Sequence, residues 1–282
     1  MFRRTFVRFY CVASNKANIL KTLKEHSPKI NIETISSALD QFPNLTNFQP
    51  LQWEKTFSFL INQQNFPHES CINIVSAYPQ IFTTSLDTTF KQLEAWRGCQ
   101  FGEKRLQDLI CKHPALIQHG NEKQLSRRMA FLQGYVQTPK NVWRIMMSSP
   151  EVAIQSEETL AAKFKYLIET MQVEVSEIVD SDVFLHDLEH IKMRHIFMQR
   201  LGLYKVKSKR ADVRKSEKNS NPRLNRIVDT SDKKFATKIC YVTLEEYEVF
   251  QELLRREWER QDLDDEDEDF DELQKERGID IM

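Results

Sequence analysis

The chain reads as an all-α solenoid, a stack of two-helix hairpins of about 35 residues with a 3₁₀ turn inside each. Two observations predict this. Prolines fall at Pro43, Pro79, Pro114 and Pro150, with gaps of 36, 35 and 36. Apolar residues then recur at fixed offsets from them: Ile35, Cys71, Leu106 and Val142 eight positions upstream, and Leu39, Val75, Ile110 and Met146 four upstream.

Residues four apart share one face of a helix, so each upstream pair predicts one buried stripe. Proline ends that helix because it lacks an N–H and pushes its predecessor toward extended backbone. The apolar pairs just after it, such as Ile81-Phe82 and Leu116-Ile117, predict a 3₁₀ plug. A second helix is expected to bury positions such as Phe90, Leu93 and Trp96, with Phe131 and Leu167 in the place of Trp96 in later units. Pro67, Gly102 and Pro139 mark junctions between units. Val183-Phe184 followed by Leu188 predicts a worn fifth unit without its proline. A lone hairpin cannot bury its apolar face, so neighbours supply the core.

Composition excludes several classes. The 282 residues include only six glycines, with neither a G-x-G-x-x-G nor a G-x-x-x-x-G-K-[ST] run, which argues against a dinucleotide or nucleotide-triphosphate fold. No apolar run reaches the length of a membrane span, so no membrane partner is expected. Five cysteines without a C-x-x-C pair fit a reducing compartment better than a disulfide framework.

Charge is segregated behind a net charge of −1. Residues 1–24 carry six basic residues and no acid, with Phe2, Phe6 and Phe9 near helical spacing, which predicts a mitochondrial presequence (transit peptide) and a matrix location; Arg8-Phe9-Tyr10 before Cys11 reads as a cleavage site. Residues 25–204 are assigned to the repeats, 205–226 to a basic linker, 227–260 to a C-terminal helical extension and 261–282 to an acidic disordered tail. In the extension, Thr243-Leu244-Glu245-Glu246 has capping-box spacing, and Tyr247, Phe250, Leu254 and Trp258 form one apolar stripe. That stripe fits two uses: capping the last repeat, or docking a partner protein.

Nucleic-acid binding needs a track of cations. Residues 91–144 hold ten basic residues against four acidic ones, and Arg97, Lys104, Arg105, Arg127, Arg128 and Arg144 recur across consecutive units. Lys163, Lys165, Lys192, Arg194 and Arg200 extend the series. Such contacts position a backbone and read little sequence, leaving DNA and RNA both open. No cofactor is expected. The one string that suggests catalysis, His186-Asp187-Leu188-Glu189-His190, fits the H-x-x-E-H zinc-peptidase pattern, with His186 and His190 as ligands and Glu189 as base. It lies inside the worn repeat without the larger α/β frame such an enzyme requires, so no catalytic residue is assigned.

Taken as a series, these motifs resemble the mitochondrial transcription termination factor (mTERF) family. His113-Pro114-Ala115-Leu116-Ile117 is the best single match, and the stretch from Leu188 to His195 before Leu201-Gly202-Leu203 is similar to the family's last repeat, with His190 and Met193 where Arg and Pro usually stand. The resemblance covers roughly residues 31–204 and implies a left-handed superhelix with a basic concave groove that binds mitochondrial nucleic acid. The capped helix followed by an acidic run resembles the family's ribosome-assembly branch, its fourth vertebrate-type member. That likeness implies a non-enzymatic adaptor for ribosomal RNA and the large mitochondrial ribosomal subunit, supporting mitochondrial translation, with a Sun-family RNA 5-methylcytosine methyltransferase as partner. A DNA-binding termination role is the alternative.

Overall fold

The computed structural model describes residues 15–26, 30–206 and 221–276, with side chains as far as residue 261. All regular structure among them is helical. They fall into two compact units, Met1–Gln155 and Ser156–Met282.

The first unit is built from repeated hairpins. Helix α1 (residues 15–26) precedes them. The first helices of successive repeats are α2 (Ile32–Gln41), α4 (His68–Ala77), α6 (Glu103–Lys112) and α8 (Pro139–Ser148). The second helices are α3 (Pro50–Ser58), α5 (Leu86–Arg97) and α7 (Glu122–Val136). First helices pack on first helices, α2 on α4 and α4 on α6, while α5 packs on α7. Every residue of the upstream series, from Ile35 and Leu39 to Val142 and Met146, is buried.

The prolines act as expected, with close repetition. The preceding residue sits at φ/ψ of −121/76 at Phe42, −133/70 at Tyr78, −131/66 at His113 and −136/76 at Ser149. Each of these four N–H groups still donates to the carbonyl four residues back, closing the helix. A 3₁₀ turn follows whose third residue is buried: Leu45, Ile81, Leu116 and Val152. Polar N-caps then open the second helices: Ser85 accepts from the Thr88 N–H and Asn121 from that of Gln124.

A second repeating device lies at the end of each hairpin. Asn65, Gln100, Gln137 and Gln172 all have positive φ, and they too are spaced by about 35 residues. A left-handed residue turns the chain out of the second helix, a position that usually favours glycine. Gln137, at φ 67 and ψ −34, centres a γ-turn in which Thr138 N–H donates to Val136 O at 2.8 Å.

The second unit contains α9 (Glu157–Lys165), α10 (Val175–Val179), α11 (Leu188–Arg200), α12 (Leu224–Val228), α13 (Asp232–Lys234) and α14 (Leu244–Glu276). A 3₁₀ turn at Val183–Leu185 buries Val183 and Phe184, as the worn repeat requires. The capping box of α14 forms in both directions: Thr243 N–H donates to Glu246 Oε2 at 2.7 Å, and Glu246 N–H to Thr243 Oγ1 at 3.2 Å.

Five expectations need correction. In α5 it is Thr89 that turns inward, leaving Phe90 exposed, and in α7 Leu132 takes the core place expected of Phe131. The boundary at residue 24 falls inside α1, whose Ile19 and Leu23 are fully buried and whose Asn15 amide donates to the carbonyls of Thr46 and Phe48. The linker boundary at 226 falls inside α12, where Leu224, Ile227 and Val228 pack; residues 207–220 lie outside the described residues. The acidic run expected to stay disordered continues α14 as far as Glu276, since extending a packed helix is far easier than nucleating one.

Candidate nucleic-acid interface

The predicted basic residues fall into distinct structural roles. In the first unit, Lys104 and Arg105 lie exposed on α6, Arg127 is exposed and Arg128 half-buried on α7, and Arg144 is half-buried on α8. Arg97, at the end of α5, is gripped by two carboxylates, Nη1 to Glu94 at 2.5 Å and Nε to Glu103 at 2.9 Å. Its charge is therefore largely compensated.

Arg128 belongs to a different series. Its guanidinium donates to Gln155 O at 2.5 Å, just beyond the turn of the next repeat. Equivalent bonds run from Gln52 to Phe82 O at 3.1 Å and from Trp96 Nε1 to Leu116 O at 2.8 Å. In the second unit, Lys163 Nζ reaches Phe184 O at 3.3 Å. Gln52, Trp96 and Lys163 each satisfy a carbonyl of the following 3₁₀ turn, and Arg128 one just beyond the turn at Pro150–Ala153. Lys163 is only 3% exposed, so it staples two repeats and does not present its charge to a ligand.

Arg194 is the plainest correction. It is 1% exposed, with Nη1 bonded to Ile227 O at 2.6 Å and Nη2 to Thr230 O and Asp232 Oδ1, each at 2.6 Å. Its guanidinium also lies 4.6 Å from the Phe235 ring centroid. The residue anchors the C-terminal extension to α11. Nearby, Arg200 pairs with Glu257 at 2.6 Å, and that bond holds the Glu257 carboxyl below its usual pKa. Lys192 lies half-buried, 5.9 Å from the Tyr166 ring.

The C-terminal stripe is used internally. Tyr247 and Leu254 are buried, Phe250 and Trp258 half-buried. Phe197 of α11 lies 4.9 Å from Tyr247 and 4.6 Å from Phe250, ring to ring. Capping therefore wins over docking for this face. The opposite face carries Val249 and Leu253, exposed at 60% and 52%. A residue count of three and four steps finds only the stripe; the second pair, four apart, is its counterpart on the outer side.

The H-x-x-E-H residues have other uses. His186 and His190 stack at 4.5 Å with planes 14° apart. His186 Nε2 lies 3.2 Å from Asp229 Oδ1, and His190 Nε2 lies 3.1 Å from Val228 O. Glu189 pairs with Arg255. Among the described residues no group of three or more His, Cys, Asp or Glu side chains gathers as a metal site. Burial pushes the Cys71 thiol up to about 12 and also raises that of Cys111, two residues before His113.

Trp143 of α8, which the sequence reading passed over, sits half-buried beneath Arg105, whose guanidinium carbon is 4.9 Å from the ring centroid. Its neighbour Arg144 was the available signal, since an aromatic within a basic helix is a common nucleic-acid arrangement.

Hairpins closed by proline, capped by 3₁₀ turns and stacked first helix on first helix define a helical-repeat protein. The chain belongs to the mTERF family, whose model matches residues 6–236. That span exceeds the stretch carried by the proline series and takes in the packed α1 at one end and α12 and α13 at the other. The chain is also 23% identical over 231 residues to a protein of Mus musculus, "Transcription termination factor 4, mitochondrial"; the match covers 81% of this chain and 54% of that protein. The chain thus spans about half the length of the curated relative it matches. Among the described residues no helix is long and apolar enough to cross a membrane.

Proposed function

We propose that the chain is a mitochondrial nucleic-acid-binding adaptor without catalytic activity, which holds ribosomal RNA on α6–α8 and recruits an RNA 5-methylcytosine methyltransferase through its C-terminal extension. The observation that carries the binding half is the excess of ten basic over four acidic residues between 91 and 144, in a chain of the mTERF family. Phosphate contacts release counterions, so affinity follows the number of cations presented. Lys104, Arg105, Arg127 and Arg144 are the residues assigned to this face, with Arg97 and Arg128 beside them in the same series.

The recruiting half rests on α14. With Tyr247, Phe250 and Leu254 packed inward, the docking anchors become Val249 and Leu253. Large exposed apolar side chains on one helix face suit a protein partner. The large mitochondrial ribosomal subunit is the assembly this partner would be delivered to, and the matrix is the compartment this implies.

The name of the Mus musculus relative favours a second reading, a role in transcription termination, which for this chain would mean holding DNA. Crosslinking of the tagged chain in intact mitochondria separates the two. Reads concentrated on ribosomal RNA support the adaptor; reads concentrated on one mitochondrial DNA segment support termination and reject the RNA assignment.

A further inference from the structure

We infer that Trp143 is a positioning residue for nucleic-acid binding: its indole face holds the Arg105 guanidinium in a preset plane, turning one flexible cation into an oriented phosphate fork. The inference rests on the proposed binding face of α6–α8 and adds a mechanism to it.

Three observations carry it. The guanidinium carbon of Arg105 lies 4.9 Å from the Trp143 ring centroid, on the neighbouring first helix of the stack. Arg105 is exposed, and no carboxylate partner faces it among the described residues, unlike Arg97 with its two. The Trp143 Nε1–H is buried without an acceptor among the described residues. No hydrogen bond therefore explains an indole here; its useful part is the ring face, the best of the aromatic surfaces for a cation. A guanidinium stacked on a ring keeps its in-plane N–H donors directed outward, where they match two phosphate oxygens. An arginine free to rotate would have to be ordered on binding, at an entropic cost that stacking has already met.

The test uses the full chain with two labelled probes, a 20-base-pair RNA duplex and a DNA duplex of the same length, titrated by fluorescence anisotropy from about 50 to 300 mM KCl. Arg105→Ala is expected to weaken binding by about five- to tenfold and to lower the salt slope by just under one unit, whereas Trp143→Leu, which leaves the cation in place, should weaken binding by about two- to fivefold with the slope unchanged. The double variant should bind like Arg105→Ala alone, because the ring acts only through that cation. Trp143→Phe, which keeps a ring and fills the site, should retain most of the affinity, and it serves as the fold-preserving variant should Trp143→Leu lose structure. Wild-type binding by Trp143→Leu, or additive losses in the double variant, would overturn the positioning role while leaving the binding face intact. No loss from Arg105→Ala together with losses from Lys104→Ala and Arg127→Ala would also overturn it. No loss from any of these would instead reject the binding face itself.

Discussion

Arg194 Nη2 lies 2.6 Å from Asp232 Oδ1, joining the middle of α11 to the start of α13 across 38 residues of sequence. With the carbonyls of Ile227, Val228 and Thr230 also turned toward this guanidinium, one side chain closes the C-terminal extension onto the repeats. A buried cation is tolerable only when most of its donors are satisfied in this way, as Nη1 and Nη2 are; Nε, also buried, has no acceptor among the described residues.

Arg194→Met should therefore destabilise the second unit by about 2–4 kcal/mol, because several buried carbonyls lose their donor at once. Arg194→Lys should recover little of this, having no planar fork. Urea denaturation gives the size, and protease sensitivity between residues 221 and 243 gives the location. Equal stability of the variant would show that the anchor contributes nothing.

The repeat staples are testable singly. Trp96→Phe retains the buried ring but removes the donor to Leu116 O, which lies 2.8 Å away in the wild type. A loss of about 1–2 kcal/mol is expected from the orphaned carbonyl and missing bond. A loss below a few tenths would mean that water or relaxation replaces the staple.

Acid should weaken the fold through His195. The residue is fully buried beside Tyr166, whose hydroxyl lies 2.8 Å from Nδ1, and burial lowers its pKa from 6.5 to about 4. Between those values the unfolded chain takes up a proton that the folded chain refuses. Stability from this group is thus complete above pH 6.5 and falls as pH drops toward 4, by on the order of 3 kcal/mol at most. His195→Leu should flatten the pH dependence of unfolding in this window; an unchanged slope would assign it to other groups.

How much of this was legible beforehand depends on how local the cause is. Proline acts on its immediate neighbours, so Pro43, Pro79, Pro114 and Pro150 revealed both the period and the 3₁₀ turns. The amides at Asn65, Gln100, Gln137 and Gln172 carry the same period and were equally readable, but glycine is the usual marker of a left-handed residue and its absence hid them. Arg194 was opaque for the opposite reason: its partners lie 33 to 38 residues downstream, and no count of charges distinguishes a buried anchor from a surface cation. Lys163 and Arg128 misled in the same way, because a cationic side chain can satisfy a backbone carbonyl as well as a phosphate. The stripe of α14 was read correctly as a face, but its use depended on where Phe197 stands.

The docking assignment on α14 follows from that inversion. Val249→Asp with Leu253→Asp should leave the fold within about 0.5 kcal/mol, since both side chains are exposed. Co-purification of the proposed methyltransferase partner should be lost. Tyr247→Ala should instead unfold the cap, as it empties a buried aromatic site. A partner retained by the first variant would place docking on another surface.

The central claim is that α6–α8 hold a nucleic-acid backbone by charge. Its most direct test is the salt dependence of binding by a chain carrying Lys104→Ala, Arg105→Ala, Arg127→Ala and Arg144→Ala, measured against the wild type on one RNA duplex. The account predicts much weaker binding and a slope of log Kd against log salt lower by about three units, just under one per lost phosphate contact. An unchanged affinity and slope would contradict it.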